Sequence, residues 1–348
     1  MADIEIRKAG CTGRITLNRP KALNALTHEM CLAIEDALDR WRSDTDVKML
    51  VIDATGERAF SAGGDIAKMY ETGTAGNYEY GRRFWRDEYR MNAKLFAFPR
   101  PVASFMQGFT MGGGVGVGCH ASHRVVGESS RIAMPECGIG LVPDVGGSLL
   151  LARAAGRLGE YLGTTGTRMQ AADAIYAGFA DHFIPEAEWP ALITALEKTG
   201  DRTLIGKAAE VPPEGPLQAL RPEIDVHFAG EALADILRAL EHATSDFASK
   251  TLNTLRRNSP LSMACTVEMV HRLRGADSIR QALAMEYRFT SRAMEHGDFL
   301  EGIRAAIIDK DRKPKWKHRL GDPLDLAVSE MLRPVTGPPL VFEREEEK

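Results

Sequence analysis

Along the first half of the chain, short runs of apolar residues alternate with stretches in which apolar residues recur every three to four positions. That change of period separates strands from helices. Residues 3–7 and 14–17 read as a strand pair around the Cys11–Gly13 turn, and KMLVIDA (48–54) reads as a buried strand. Between them Met30, Ile34, Ala37, Leu38 and Trp41 recur at helical spacing. Thr27 stands at the N-cap position of this predicted helix and Glu29 in its first turn. PVASFM (101–106), the glycine run 112–118 and residues 122–127 then repeat a strand, a close turn into a helix, and another strand. The predicted sheet is covered by helices.

Shorter helical patterns follow at about 147–156, 158–165 and 170–178, then FADHFIP (179–185) as strand or turn and a helix near 187–199. Pro212, Pro213, Gly215, Pro216 and Pro222 predict a loop or linker, because fixed φ angles and missing donors oppose continuous helix. Beyond it helical periods run at 230–242, 246–258, 261–274, 278–296 and 298–309. The expected organisation is a core over 1–200, a Pro-rich linker over 201–229, a helical module over 230–320 and a tail over 321–348 whose acidic end, VFEREEEK, frays. No internal sequence repeat stands out.

Composition narrows the function classes. With 348 residues, 44% hydrophobic, 26% charged, 33 Gly and 17 Pro, this is an ordinary globular chain. The 44 Lys+Arg against 48 Asp+Glu leave −4 and no basic run, so nucleic acid is not an expected partner. The five cysteines (Cys11, Cys31, Cys119, Cys137, Cys265) form no CxxC pair and fit reduced thiols. No stretch reaches the roughly 18 apolar residues of a membrane span, and the N-terminus lacks a signal-peptide core, so the expectation is cytoplasmic with no membrane contact. GxSxG, GxxxxGK[ST] and GxGxxG are all absent. His120 and His123 have HxxH spacing beside Cys119 but no further ligand nearby, so no metal site is expected.

Glycine loops and carboxylates remain. Phe60 to Ile66 (FSAGGDI) and Gly112–Gly114 each bring backbone N–H groups forward without side-chain interference, the second at a helix start, where free amides favour developing negative charge. Together they make an oxyanion hole possible; each alone is an ordinary turn. In MPECGIGLVPDVGG (134–147), Pro135, Gly138, Gly140 and Pro143 oppose a continuous helix and leave Glu136 and Asp144 on irregular backbone. The plain alternatives are a surface charge for Glu136 and a turn or cap for Asp144. In the helix 80–96, Tyr80, Phe84, Met91 and Leu95 form one stripe, and Glu88 falls about 40° from Phe84, inside it. An ion pair with Arg82, Arg83, Arg86 or a distant cation at the stripe's edge is its structural alternative.

These motifs resemble those of the crotonase (enoyl-CoA hydratase/isomerase) superfamily. ITLNRPKALNAL (15–26), AFSAGGDI (59–66), GFTMGGGVG (108–116) and MPECGIGLVPDVGG (134–147) match in order and spacing, and MQAADAIYAGFADHFIP (169–185) looks like the segment that follows. The likeness covers nearly all of 1–320. It implies an α/β crotonase-like fold of repeated ββα units with a C-terminal α-helical module. It also implies an acyl-CoA thioester whose carbonyl oxygen meets the Gly64 and Gly113 amides. Weaker carry-overs place CoA along Ala62, Gly63, Asp65 and Ile66 and along Lys21, Ala22 and Leu23.

Hydratases of the superfamily carry two glutamates, one of which is Gly116 here, while the other matches Glu136. Hydration is therefore disfavoured, though dienoyl-CoA isomerases share a carboxylate pair like Glu136 and Asp144. RDEYRMN (86–92), MEYR (285–288) and EGIRAAIIDKDRKPKWK (301–317) look closest to the branch that hydrolyses short branched hydroxyacyl-CoA thioesters, 3-hydroxyisobutyryl-CoA above all, in valine breakdown. That resemblance makes Glu136 nucleophile or base, Asp144 its helper and Glu88 a substrate contact. CoA is then part of the substrate, and no separate cofactor is implied. A homo-oligomer is one expectation, since the superfamily forms trimers and hexamers; a helical module folded over its own site is the other. From a different class, a catalytically silent CoA- or RNA-binding relative is the alternative.

Overall fold

The computed structural model describes residues 2–336 and 340–343. The chain divides into two units built from interleaved segments. One comprises Met1–Gly64, Asp87–Ala133 and Arg168–Gln218; the other comprises Asp65–Arg86, Met134–Thr167 and Ala219–Lys348.

The first unit holds the strands β1 (Ile4–Ala9), β2 (Thr12–Leu17), β3 (Met49–Ala54), β4 (Ala59–Ser61), β5 (Val102–Met106), β6 (Phe109–Met111), β7 (His123–Val126), β8 (Arg131–Ala133) and β9 (His182–Phe183). The large sheet runs β1-β2-β3-β5-β7-β9 and the small one β4-β6-β8. Among the described strands only the β1–β2 pair is antiparallel, with Ile4 opposite Leu17 and Ala9 opposite Thr12; β2 to β3 and onward are parallel. Each of β3, β5 and β7 enters the large sheet, and the next strand of each enters the small one. This is the expected repetition of paired strands. The small-sheet strands have three residues each, too few to show an alternation in sequence.

Period-2 packing builds the core. Met49 and Val51 of β3, Ala103 and Phe105 of β5 and Val125 of β7 pack in one cluster with Trp189, Leu192, Ile193 and Leu196 of the helix Trp189–Thr199. The helix His28–Ser43 begins at Thr27, whose side chain accepts from the Met30 amide, and the predicted stripe from Met30 to Trp41 is buried. A Cβ on Gly13 of β2 would strike the Trp41 ring at 2.5 Å, so glycine lets that helix end lie flat on the strand. The glycine run has the same cause. In the helix Gly113–Gly118, a Cβ on Gly114 would meet the Ser61 carbonyl at 2.4 Å and one on Gly118 the Met106 sulfur at 2.6 Å. The first turn of that helix is thereby pressed against β4.

The second unit is helical. Its later helices are Leu233–Glu241, Asp246–Leu255, Pro260–Arg272, Ile279–Ala293 and Phe299–Ile303, the last continued by a π turn, Arg304–Ile308. Two expectations need correction. Pro222 lies inside the helix Leu217–His227 rather than in a loop; a single missing donor removes one helical bond without preventing the turns around it. Within the expected tail, Asp325–Leu332 is a helix with Met331 and Leu332 buried, its eight residues too few to show a period. Of the acidic end, residues 344–348 lie outside the described residues. Among the described residues no helix is long and apolar enough to cross a membrane.

Candidate active site

The first unit brings the two glycine loops together. Leu26 donates to the Gly63 carbonyl (2.8 Å), Ala62 to the Leu23 carbonyl (2.9 Å), and Leu26 bridges to Gly64 in parallel fashion. Gly63 takes φ +113, a conformation that an L side chain rarely adopts. A Cβ on Gly113 would stand 3.4 Å from the Gly64 amide nitrogen, so the two amides implied by the resemblance are neighbours. Gly113 is also the first residue of its helix, where the backbone N–H has no intrahelical acceptor. Two adjacent amides of this kind suit a developing oxyanion. Of the remaining loop positions, Lys21 and Ala22 form a one-turn 3₁₀ segment ending at Leu23 in left-handed conformation (φ 52). Asp65 and Ile66 open the second unit and lead into the helix Ala67–Thr74.

Glu88 belongs to the same cradle. It is buried in the helix Glu79–Phe96 with Phe84, Met91 and Leu95, as the stripe predicts, and its Oε1 lies 2.8 Å from where a Gly113 Cβ would be. An ion-pair ladder fixes this helix to His28–Ser43. His28 meets Asp87 at 2.6 Å, Arg90 bonds Glu35 at 2.6 and 2.8 Å, and Lys94 meets both Glu35 and Asp39. Burial alone would raise the Glu35 carboxyl, yet Arg90 and Lys94 hold it below its usual value. Of the arginines on the same helix, Arg82 bonds the Ser291 carbonyl and Glu295, and Arg86 bonds Tyr287 and Glu79. His120 packs edge-on to Phe96 and His123 stacks on His182, which gives the HxxH pair a packing role.

In the second unit Glu136 opens the 3₁₀ turn Glu136–Ile139, between Pro135 and a left-handed Gly140 (φ 74). Gly140 has no room for a side chain, because a Cβ would meet the Asp298 backbone at 2.5 Å. Asp298 accepts from Ser259 Oγ (2.7 Å) and the Lys317 amide (2.9 Å), and the Ser259 amide donates to the Cys137 carbonyl (2.9 Å). The segment carrying Glu136 is thus tied to the C-terminal helices. Glu136 is 5% exposed and Asp144 4%, which removes the surface-charge reading of Glu136. Glu136 Oε2 is buried without a hydrogen-bond partner. Burial, then the Asp144 charge, then the Glu286 charge, push the Glu136 carboxyl well above the usual carboxylate range.

Glu286, which lies in the MEYR segment (285–288) without a role assigned to it there, is a further buried acid of this unit. It sits on the helix Ile279–Ala293 with no exposure and accepts from the Gly146 amide (2.9 Å), the Ser148 amide (3.1 Å) and Ser148 Oγ. These bonds cap the helix Gly147–Arg153. Burial and the nearby Asp144 charge push the Glu286 carboxyl up to about 8 against the pull of those bonds. The signal that finds Glu88 applies to it as well: Ala282, Glu286 and Thr290 lie four apart on the buried face of one helix. Two of these buried carboxyls, Glu136 and Glu286, are held above the usual carboxylate range, which suits them to acid–base work.

Residues 12–330 match the family described as enoyl-CoA hydratase/isomerase. The mitochondrial 3-hydroxyisobutyryl-CoA hydrolase of Danio rerio is 38% identical over 328 residues, covering 91% of this chain and 85% of its own. That of Homo sapiens is 36% identical over 327 residues, covering 90% and 84%. Among solved structures, an enoyl-CoA hydratase from Rhodobacter sphaeroides 2.4.1 matches with TM-score 0.93 at 56% identity over 96% of this chain and 98% of that one. A carnitinyl-CoA dehydratase from Mycobacterium thermoresistibile matches with TM-score 0.93 at 38% identity over 99% and 100%. The ordered glycine and carboxylate motifs, the paired-strand repetition and these likenesses agree: the chain belongs to the enoyl-CoA hydratase/isomerase (crotonase) family.

Proposed function

We propose that this protein hydrolyses a short branched hydroxyacyl-CoA thioester, 3-hydroxyisobutyryl-CoA being the first candidate, to the free hydroxy acid and CoA. The carrying observation is the carboxylate set. Gly116 lies buried inside the glycine helix, at the position where a hydratase has its first glutamate, while Glu136, Asp144 and Glu286 are buried and electrostatically linked in the second unit. A single glutamate with an aspartate helper suits attack on a carbonyl better than the two-glutamate addition of water across a double bond. The curated relatives named as hydrolases support the same reading.

In this reading the Gly64 and Gly113 amides hold the carbonyl oxygen as it becomes an oxyanion. Glu136 supplies the nucleophile, through its own carboxylate oxygen or through a water it deprotonates. Asp144 orients the attacking group and assists proton transfer to the departing CoA thiolate. Glu88 accepts the hydroxyl of the acyl group. CoA runs along Lys21, Ala22 and Leu23 and along Ala62, Gly63, Asp65 and Ile66. It enters as part of the substrate, and the reaction consumes water alone.

The 56% identical structure from Rhodobacter sphaeroides is described as an enoyl-CoA hydratase, which makes hydration the second reading. One experiment separates the two. Free CoA is followed with a thiol reagent across a panel of acyl-CoAs, and loss of the conjugated thioester absorbance is followed with crotonyl-CoA. Thiol release from 3-hydroxyisobutyryl-CoA with negligible crotonyl-CoA hydration is expected. Hydration at a rival rate would transfer the assignment to the second reading.

A further inference from the structure

We infer that Glu286 is a positioning residue: by clamping Gly146 and Ser148 it holds the left-handed turn after Asp144, and with it the Asp144 carboxylate. The inference rests on the proposed role of Asp144 as the helper of Glu136.

Val145 and Gly146 both have positive φ, 53° and 81°. A β-branched residue in that region is strongly disfavoured, because its Cβ crowds the neighbouring carbonyl. Such a turn persists only where its surroundings over-determine it. The Asp144 carbonyl accepts from Gly147 (2.7 Å), Gly147 packs so tightly on Met134 that a Cβ would stand 2.5 Å from its methyl carbon, and Val145 is itself buried. Glu286 adds three bonds from a helix some 140 positions further along the chain, two to the amides that flank Gly147 and one to the Ser148 hydroxyl.

Capping alone does not explain that choice. A Ser or Asp at the N-cap of the helix Gly147–Arg153 could accept from the Ser148 amide but not from its own, and the left-handed φ of 81° at that position suits glycine. The chain places glycine there and brings in a fully buried carboxylate within the field of Asp144. A local cap would leave the turn tied only to its own helix, whereas Glu286 reaches it from another. It ties Asp144 to the helix Ile279–Ala293 and fixes where the carboxylate stands.

The test is a double-mutant cycle on kcat for thiol release. Glu286→Gln keeps volume but turns an amide donor toward a backbone donor. It should lower kcat about 30- to 100-fold while free CoA binds within about threefold of wild type. In an Asp144→Asn background the same substitution should cost less than about threefold, since Glu286 acts through Asp144. Fold losses that multiply, or a Glu286→Gln enzyme within threefold of wild type, would overturn the inference. Ser148→Ala and Ser148→Thr supply a gentler pair: alanine should lose several-fold in kcat and threonine, which keeps the hydroxyl, should recover it. Equal rates for the two overturn the inference even if Glu286→Gln fails to fold. A wild type that hydrates crotonyl-CoA and releases no thiol would sink the proposed reaction alone, and the same cycle would then be run on hydration. Independently of any activity, a crystal structure of Glu286→Gln with the Asp144 carboxylate unmoved would refute the positioning role.

Discussion

Glu88 and Gly113 are matched as acid and vacancy: Glu88 Oε1 fills the space that a Cβ on Gly113 would enter, 2.8 Å away, with Leu26 Cδ1 at 3.2 Å and the Gly64 amide nitrogen at 3.4 Å. Gly113→Ala should therefore push Glu88 aside and crowd the amide pair. Losing one oxyanion donor typically costs about 10²–10³ in kcat, and a loss of that order is expected here with the fold retained. Removing Glu88 first relieves the closest contact, so Gly113→Ala should cost less in a Glu88→Ala background. Steady-state kinetics on the four proteins decide it. An equal loss in both backgrounds would mean that the clash with Glu88 is not the cause.

Glu88 itself should read the substrate's hydroxyl. A buried acceptor penalises an acyl group that leaves it unpaired, and well-built hydroxyl sites reach discrimination of up to about 10⁴–10⁵. The wild type should prefer 3-hydroxyisobutyryl-CoA to isobutyryl-CoA in kcat/KM, and Glu88→Ala should lower the first far more than the second. A mutant that keeps the wild-type ratio would make Glu88 a structural charge and move hydroxyl recognition elsewhere.

Glu88 is legible in the sequence because the helix carrying it is long and its apolar stripe is regular, so one carboxylate in the stripe stands out. Thr27 and the stripe from Met30 to Trp41 are legible for the same reason. The small-sheet strands are not, since three residues give no period and their pairing partners lie about 20 to 50 residues away. Glycines and prolines that rule out regular structure mark Glu136 and Asp144, but the burial of these acids depends on Asp298, Ser259 and the helices of the second unit, which local pattern does not report. Glu286 escapes notice although it interrupts a stripe just as Glu88 does. Its neighbours one turn away on that face, Ala282 and Thr290, are small or polar, so no large apolar side chains frame it as Phe84 and Met91 frame Glu88.

The buried Oε2 of Glu136, with no protein donor, is available either to attack the thioester or to take a proton from water, and isotope labelling with adduct trapping separates the two. In the direct route, attack gives a mixed anhydride and releases CoA; water then opens the anhydride at the Glu136 carbonyl, returning one enzyme oxygen to the product acid. In a single turnover in ¹⁸O-water the peptide containing Glu136 should gain one label and the hydroxy acid none. Label in the acid and none in the peptide would place the attack of water on the acyl carbonyl, as when Glu136 acts as a base; trapping of an acyl-Glu136 adduct by hydroxylamine then separates that route from an anhydride opened at its acyl carbon.

Stability should fall with rising pH because of the same carboxylates. Burial and neighbouring negative charge raise Glu136 well above its ordinary value of 4.5, and Glu286 to about 8. Between about pH 4.5 and 8 the folded chain therefore keeps protons that the unfolded chain has released, and stability falls as pH rises. Carboxylates held low by cations, such as Glu35 and Asp181, act in the opposite sense, but their window lies below about pH 4.5, so the two effects separate. Glu136→Gln removes a group that must be deprotonated in a dry site, while glutamine resembles the protonated acid. Its melting temperature should match wild type near pH 5 and exceed it by a few degrees at pH 8, since about 1 kcal/mol moves Tm by roughly 2–4 °C in domains of 150–250 residues. Thermal scans of both proteins from pH 5 to 8.5 test this. A difference that stays flat across the range would show that Glu136 carries no raised ionisation in the folded state, and an activity loss in the same variant would then need another explanation than a missing reactive carboxylate.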